Sequence, residues 1–187
     1  MPSLVAGDVC CLRERFARAH NNYGRALEQN GRYDDAFVQY RKAFQLEPNR
    51  AEYVHNVGSI DTRLGRYSDA LVCYERALEL KPRYLRAQND IAGVLMQLGE
   101  YHKAEAYLNQ MLDETTARAP VYDNLGLVAL NKGNPQEALS HLQKALQLEP
   151  QNSSIQYHFS LALIRLGREQ AAKEYLTSIL GQDGQSK

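Results

Sequence analysis

The chain is 187 residues long, and its 22 basic and 22 acidic side chains cancel to a formal charge of zero. An apolar content of 44% excludes wholesale disorder, and the balanced charge excludes the basic excess of a general nucleic-acid or anionic-membrane binder. No apolar stretch approaches the ~20 residues that span a bilayer, so direct membrane insertion is not expected.

In chain order, Met1 to Cys11 lacks a basic start and is interrupted by Gly7-Asp8, so it does not read as a signal peptide. Residues 8–16 read as an extension of the first helix or a short cap. Beyond them helices come in pairs. Tyr53, Val57, Ile60 and Leu64 follow helical spacing up to Gly65, and a glycine there accepts the left-handed conformation that closes a helix. Ala70, Leu71, Tyr74, Ala77 and Leu78 carry the next segment, which stops before Pro82. Asp34, Asp35, Asp69, Glu137 and Glu169 fall near the starts of second helices, where the helix dipole favours acids. Asn134-Pro135 reads as a cap followed by proline at the first helical position.

Self-comparison makes the pairing regular. Gly31, Gly65, Gly99, Gly133 and Gly167 recur every 34 residues. Ala36, Ala70, Ala104, Ala138 and Ala172 run in step, as do the small residues Gly24, Gly58, Ala92, Gly126 and Ser160. Pro48, Pro82 and Pro150 form a fourth series, with Thr116 and Gly184 at the matching places. Gly58 and Ala70 are expected to face each other across one hairpin. Tyr40, Tyr74, Leu108, Leu142 and Leu176 fill the space in the second helices, and Tyr23, Val57, Ile91, Leu125 and Phe159 in the first. Such a hairpin cannot bury its apolar face alone, so neighbours must stack into a solenoid.

The run Asn124-Leu125-Gly126, then Gly133, Ala138, Leu142, Ala145 and Pro150, resembles the tetratricopeptide repeat. The units are residues 17–50, 51–84, 85–118, 119–152 and 153–186, preceded by an extension or capping segment, 1–16. Met111 and Thr116 in the third unit depart from the pattern, as do Ile179 and Gly184 in the fifth, which predicts a looser exit turn in the third. The resemblance implies an all-α, right-handed superhelical solenoid whose first helices line a concave groove for peptides or proteins.

The sixth place of each unit gives Asn22, Asn56, Asp90, Asn124 and His158. An amide offers both donor and acceptor, so asparagines in series can pair with the backbone of an extended ligand. The arrangement is similar to the asparagine ladder of O-GlcNAc transferases, which holds substrate polypeptides. The competing assignment is that these amides satisfy inter-helix hydrogen bonds. Arg18, Arg25, Arg63 and Arg86 place positive charge toward the N-terminal half of the groove, interspersed with Glu28, Glu52 and Asp90. Leu127, Leu130, Leu161, Ile164 and Tyr157 make the C-terminal half more apolar. The co-chaperone clamp for terminal carboxylates finds Asn21 and Arg25, Asn56, then Arg86 and Asp90, and Asp90 puts repulsion where attraction is needed.

No phosphate loop is present in the sequence, and His20, His55, His102, His141 and His158 form no ligand pair at helical spacing. Catalysis, a cofactor and a metal are therefore not expected, and the histidines read as surface or groove polarity. Cys10, Cys11 and Cys73 cannot pair completely and lack metal spacing, which fits a reducing, cytoplasmic setting. The uncovered set Tyr175, Leu176, Ile179 and Leu180 points to self-association through the C-terminal edge, contact with another chain, or cover by a further domain. The expected function is a protein-interaction scaffold or adaptor. The alternatives are the substrate-recruiting region of a larger enzyme such as a glycosyltransferase, or an assembly factor for a membrane or secretion complex.

Overall fold

The computed structural model describes residues 6–114 and 118–183. Thr116, Gly184 and the side chain of Leu180 lie outside them. Among the described residues the chain is entirely helical: α1 (Ala6–Gln29), α2 (Tyr33–Leu46), α3 (Ala51–Arg63), α4 (Tyr67–Leu80) and α5 (Leu85–Gln97) come first. α6 (Tyr101–Glu114), α7 (Arg118–Asn131), α8 (Pro135–Leu148), α9 (Ser153–Arg165) and α10 (Glu169–Asp183) follow. The chain divides into two compact units, residues 1–94 and 95–187, with the boundary inside α5.

In the N-terminal unit, α1 packs on α2, α2 on α3 and α3 on α4. Leu27, Ala36, Tyr40, Val57 and Ile60 form the core between them. In the C-terminal unit the same succession joins α6 through α10, around Ala138, Leu139, Leu142, Ala145, Ile155 and Ala162. The small residues of the first helices have one physical purpose. A Cβ on Gly24 would stand 2.8 Å from the Tyr40 ring, and one on Gly126 would stand 2.6 Å from Leu142 Cγ. A Cβ on Gly58 would stand 3.0 Å from Cys73 Cβ and from the Tyr74 ring, and Ala70 is fully buried.

Gly65 shows how each pair is closed. Its φ of 74° is left-handed, the Gly65 amide donates to Thr62 O, and the Arg66 amide donates to Asp61 O. These two bonds satisfy carbonyls left open by the helix end. Gly31, Gly99, Gly133 and Gly167 share the conformation, so the 34-residue spacing is the spacing of one turn type.

Three packing expectations need correction. Tyr23 on α1 is 53% exposed. Leu176 is 40% exposed, whereas Tyr40, Tyr74, Leu108 and Leu142 at the same repeat place are at most 1% exposed. Asn134 occupies the cap position of α8 without accepting a cap bond; its Nδ2 lies 3.3 Å from Glu137 Oε2 instead. Asn152, by contrast, accepts from the amides of Ser154 and Ile155 and caps α9.

Candidate functional site

First helices of successive pairs lie side by side within each unit, and polar residues stitch them together. Asn56 Nδ2 donates to Asn21 Oδ1 at 2.7 Å. His55 Nε2 donates to Asp90 Oδ2 at 2.7 Å. In the other unit, His158 Nδ1 donates to Asp123 Oδ1 at 2.7 Å. All three pairs are 35 residues apart, joining the fifth place of one repeat to the sixth of the next. Of the proposed ladder, Asn56, Asp90 and His158 are therefore engaged sideways. Asn22 is exposed and Asn124 half-buried. Asn56 keeps its second Nδ2 hydrogen, and its Oδ1 lies 3.4 Å from His55 Nδ1.

His55 is not surface polarity. It is 6% exposed, with the Tyr74 and Tyr84 rings 5.3 and 5.0 Å from its own. Burying an imidazole requires partners for its nitrogens, and Asp90 supplies the one at Nε2. Asp61 is also buried, with Arg66 Nη1 3.6 Å away. Burial raises its carboxyl above the ordinary range against the pull of Arg66.

The four arginines divide. Arg63 Nε donates to Glu28 Oε1 at 2.8 Å, and this bond raises the guanidinium further above its ordinary value. Glu28 accepts a second bond from the Tyr40 hydroxyl at 2.7 Å. Arg25, Glu28, Gln29, Tyr33 and Arg63 line an open concavity of about 450 Å³. Arg18, Arg25 and Arg86 are exposed and have no carboxylate within 4.0 Å among the described residues. Glu52 is held by Lys81 at 3.2 Å, while a hydrogen bond from its own backbone amide and that lysine lower its carboxyl.

The apolar residues of the C-terminal unit also divide. Leu130 packs into the core, and Leu127 and Leu161 are half-buried. Tyr157 and Ile164 are exposed. Ile164, Ala172 and Leu176, with Glu169, Lys173 and Thr177, surround a concavity of about 410 Å³.

A coupling that the sequence reading missed runs between repeat places twelve residues apart. The Tyr40 hydroxyl meets Glu28, and the Tyr74 hydroxyl meets Thr62 Oγ1 at 3.0 Å. Where the aromatic becomes Leu142, its counterpart becomes Leu130, in the same apolar cluster. The sequence carries this signal as two parallel columns of residues, and it emerges only when the columns are compared with each other.

Among the described residues there is no His/Cys/Asp/Glu group able to hold a metal ion. No described helix is long and apolar enough to cross a membrane.

Stacked helix pairs closed by left-handed glycines define an α-helical repeat protein. Family profiles described as tetratricopeptide repeat match residues 15–83 and residues 62–125 and 129–187, and the chain belongs to that family. No match was found among curated protein sequences. Among solved structures, the thermophilic tetratricopeptide protein TTC0263 of Thermus thermophilus is 22% identical with a TM-score of 0.77, over 91% of this chain and 93% of that one. MamA from Desulfovibrio magneticus RS-1, residues 41 to the end, is 22% identical with a TM-score of 0.69, over 91% and 97%. PilF of Pseudomonas aeruginosa is 24% identical with a TM-score of 0.75, over 90% and 77%. At these identities the likeness is one of fold.

Proposed function

We propose that the chain is a non-catalytic, cytoplasmic scaffold or adaptor that holds an extended peptide of a partner protein against its first helices. The observation that supports this most is the lateral bonding of Asn21 to Asn56 and of His55 to Asp90. These bonds fix the rotamers of a polar row on α1, α3 and α5 before any ligand arrives, which lowers the ordering cost of binding. Asn22 and the remaining amide hydrogen of Asn56 can then pair with peptide backbone, with Asn124 the matching ladder place in the other unit. Arg18, Arg25, Arg63 and Arg86 add attraction for acidic side chains. Each amide contributes ~0.5–1.5 kcal/mol, enough for useful affinity and little selectivity.

The test is a pull-down read by mass spectrometry, comparing wild type with the triple variant Asn22→Ala, Asn56→Ala, Asn124→Ala. Partner recovery falls while the melting temperature changes by only a few degrees. Unchanged recovery with a large loss of stability would assign these amides to holding helices together.

A second reading is favoured by the exposed Ile164 and Leu176 beside the apolar concavity. Self-association through this edge, or its use by an assembly partner, would cover them. Light scattering of Ile164→Ser, Leu176→Ser against wild type separates the two: only self-association makes the wild type heavier.

A further inference from the structure

Outside the ladder, the N-terminal turns of α1 and the α2–α3 connection enclose a depression of about 320 Å³, lined by Cys11, Glu14, Arg15, Arg18, Glu47, Arg50 and Tyr53. Cys11, Glu14, Arg15 and Arg18 fall on one face of α1 through their three- and four-residue spacing. Glu47, Arg50 and Tyr53 come from the opposite wall. Charge within it is not balanced by pairing. Glu47 is engaged by Arg13 at 3.6 Å. Arg15, Arg18 and Arg50 have no carboxylate within 4.0 Å among the described residues, and Glu14 is the single acid of the lining left uncommitted. The Arg50 guanidinium stands 5.6 Å from the ring centre of Tyr53, which is itself buried. This placement over the ring restrains the guanidinium at the edge of the depression.

We propose that this depression is a second recognition site, specific for an acidic peptide segment, with Arg15, Arg18 and Arg50 as the carboxylate-binding residues. Guanidinium forks match carboxylates bidentately, and three of them around one small volume suit two adjacent acidic side chains. The zero formal charge of the chain provides no wide basic field for a nucleic acid or anionic membrane, so a local acidic cluster is the matching ligand. Arg18 is shared with the arginines of the extended-peptide reading, whereas Arg15 and Arg50 lie outside it, so changing those two tests this site separately.

Cys11 reports on occupancy directly. It lines the depression, while its exposed neighbour Cys10 does not. Cys73 is half-buried, with its thiol pushed up to about 11 by burial, so it reacts slowly near neutrality. The rate of maleimide labelling is measured for Cys11 in a Cys10→Ser protein and for Cys10 in a Cys11→Ser protein, with acetyl-hexaglutamate or acetyl-hexaglutamine at low salt. Hexaglutamate slows Cys11 roughly fivefold and Cys10 hardly at all, and hexaglutamine slows neither. Arg15→Gln with Arg50→Gln abolishes the protection, and Arg50→Gln alone weakens it; both side chains are exposed, and circular dichroism confirms that helix content is retained. Equal slowing of both thiols, protection by hexaglutamine, or protection that survives the arginine changes would overturn the proposal. So would equal protection by hexadeoxythymidylate, which would reveal a general anion trap.

Discussion

The two units solve one packing problem with opposite chemistries. In residues 1–94 the wedge against the small first-helix residue is a tyrosine, Tyr40 or Tyr74, and its hydroxyl emerges beside Glu28 or Thr62. In residues 95–187 the wedge is Leu142, and the position that would meet a hydroxyl is the apolar Leu130. Burial raises both tyrosine hydroxyls above their ordinary range, and the Glu28 hydrogen bond adds to it at Tyr40. A phenol at the core edge must have a hydrogen-bond partner, so the N-terminal unit is obliged to keep polar residues on its first helices. The C-terminal unit has no such obligation at Leu142, and its first helices carry the apolar Leu130 and Ile164 at that place. Surface chemistry and core choice are thus one decision made twice.

The largest effect that can sharpen this comparison lies inside the C-terminal unit. Leu142 is fully buried and Leu176, at the same repeat place, is 40% exposed. Leu142→Ala removes buried methyl groups and leaves a cavity, costing ~2–5 kcal/mol. Leu176→Ala costs less than about 1 kcal/mol in the isolated chain, because its side chain is only partly removed from water. Urea denaturation of both variants measures the difference. Equal costs would mean that another copy already covers Leu176 in solution.

An intermediate effect tests the polar solution. Tyr40→Phe deletes the donor to Glu28, which is then left with Arg63 alone; the expected loss is about 1–2 kcal/mol. Glu28→Gln weakens both bonds. A double-mutant cycle by urea denaturation should show coupling of at least about 0.5 kcal/mol between positions 40 and 28. Additive losses would show that the tyrosine matters for its volume alone, as the leucine does.

The 34-residue period, the two-helix unit and the closing glycines were legible in the sequence because each depends on local conformation and short spacings. Gly65 must be left-handed wherever the chain folds, and Ala70 is small wherever its helix packs. The candidate site was less legible because its bonds run between successive helices. Asn56 looked like a ladder residue, and only the adjacency of α1 and α3 shows it donating to Asn21. His55 looked exposed by residue type, yet two tyrosines and Asp90 enclose it. The N-terminal arginine depression was hidden for a different reason: Arg15 and Arg50 share the 35-residue separation of the lateral pairs, but Arg15 lies in the segment before the first repeat, outside the repeat columns.

The smallest effect concerns how each unit treats the side chain before its wedge. In the N-terminal unit Gln39 Oε1 is bonded to His20 Nδ1 at 2.9 Å. At the matching place of the C-terminal unit, His141 stacks on Tyr122 at 6.3 Å, and its buried Nδ1 has no hydrogen-bond partner among the described residues. Burial lowers this imidazole below its ordinary 6.5, with Lys144 adding to the shift and Glu137 and Glu105 opposing it. As pH falls below 6.5 the unfolded chain takes up the proton before the folded one does. The stability associated with neutral His141 is therefore present above that pH and is lost as pH drops toward the depressed folded value. Urea midpoints measured from pH 7.5 down to 5 should fall more steeply for wild type than for His141→Phe, which keeps a ring against Tyr122 but cannot titrate. Superimposable pH profiles would remove His141 from the acid response.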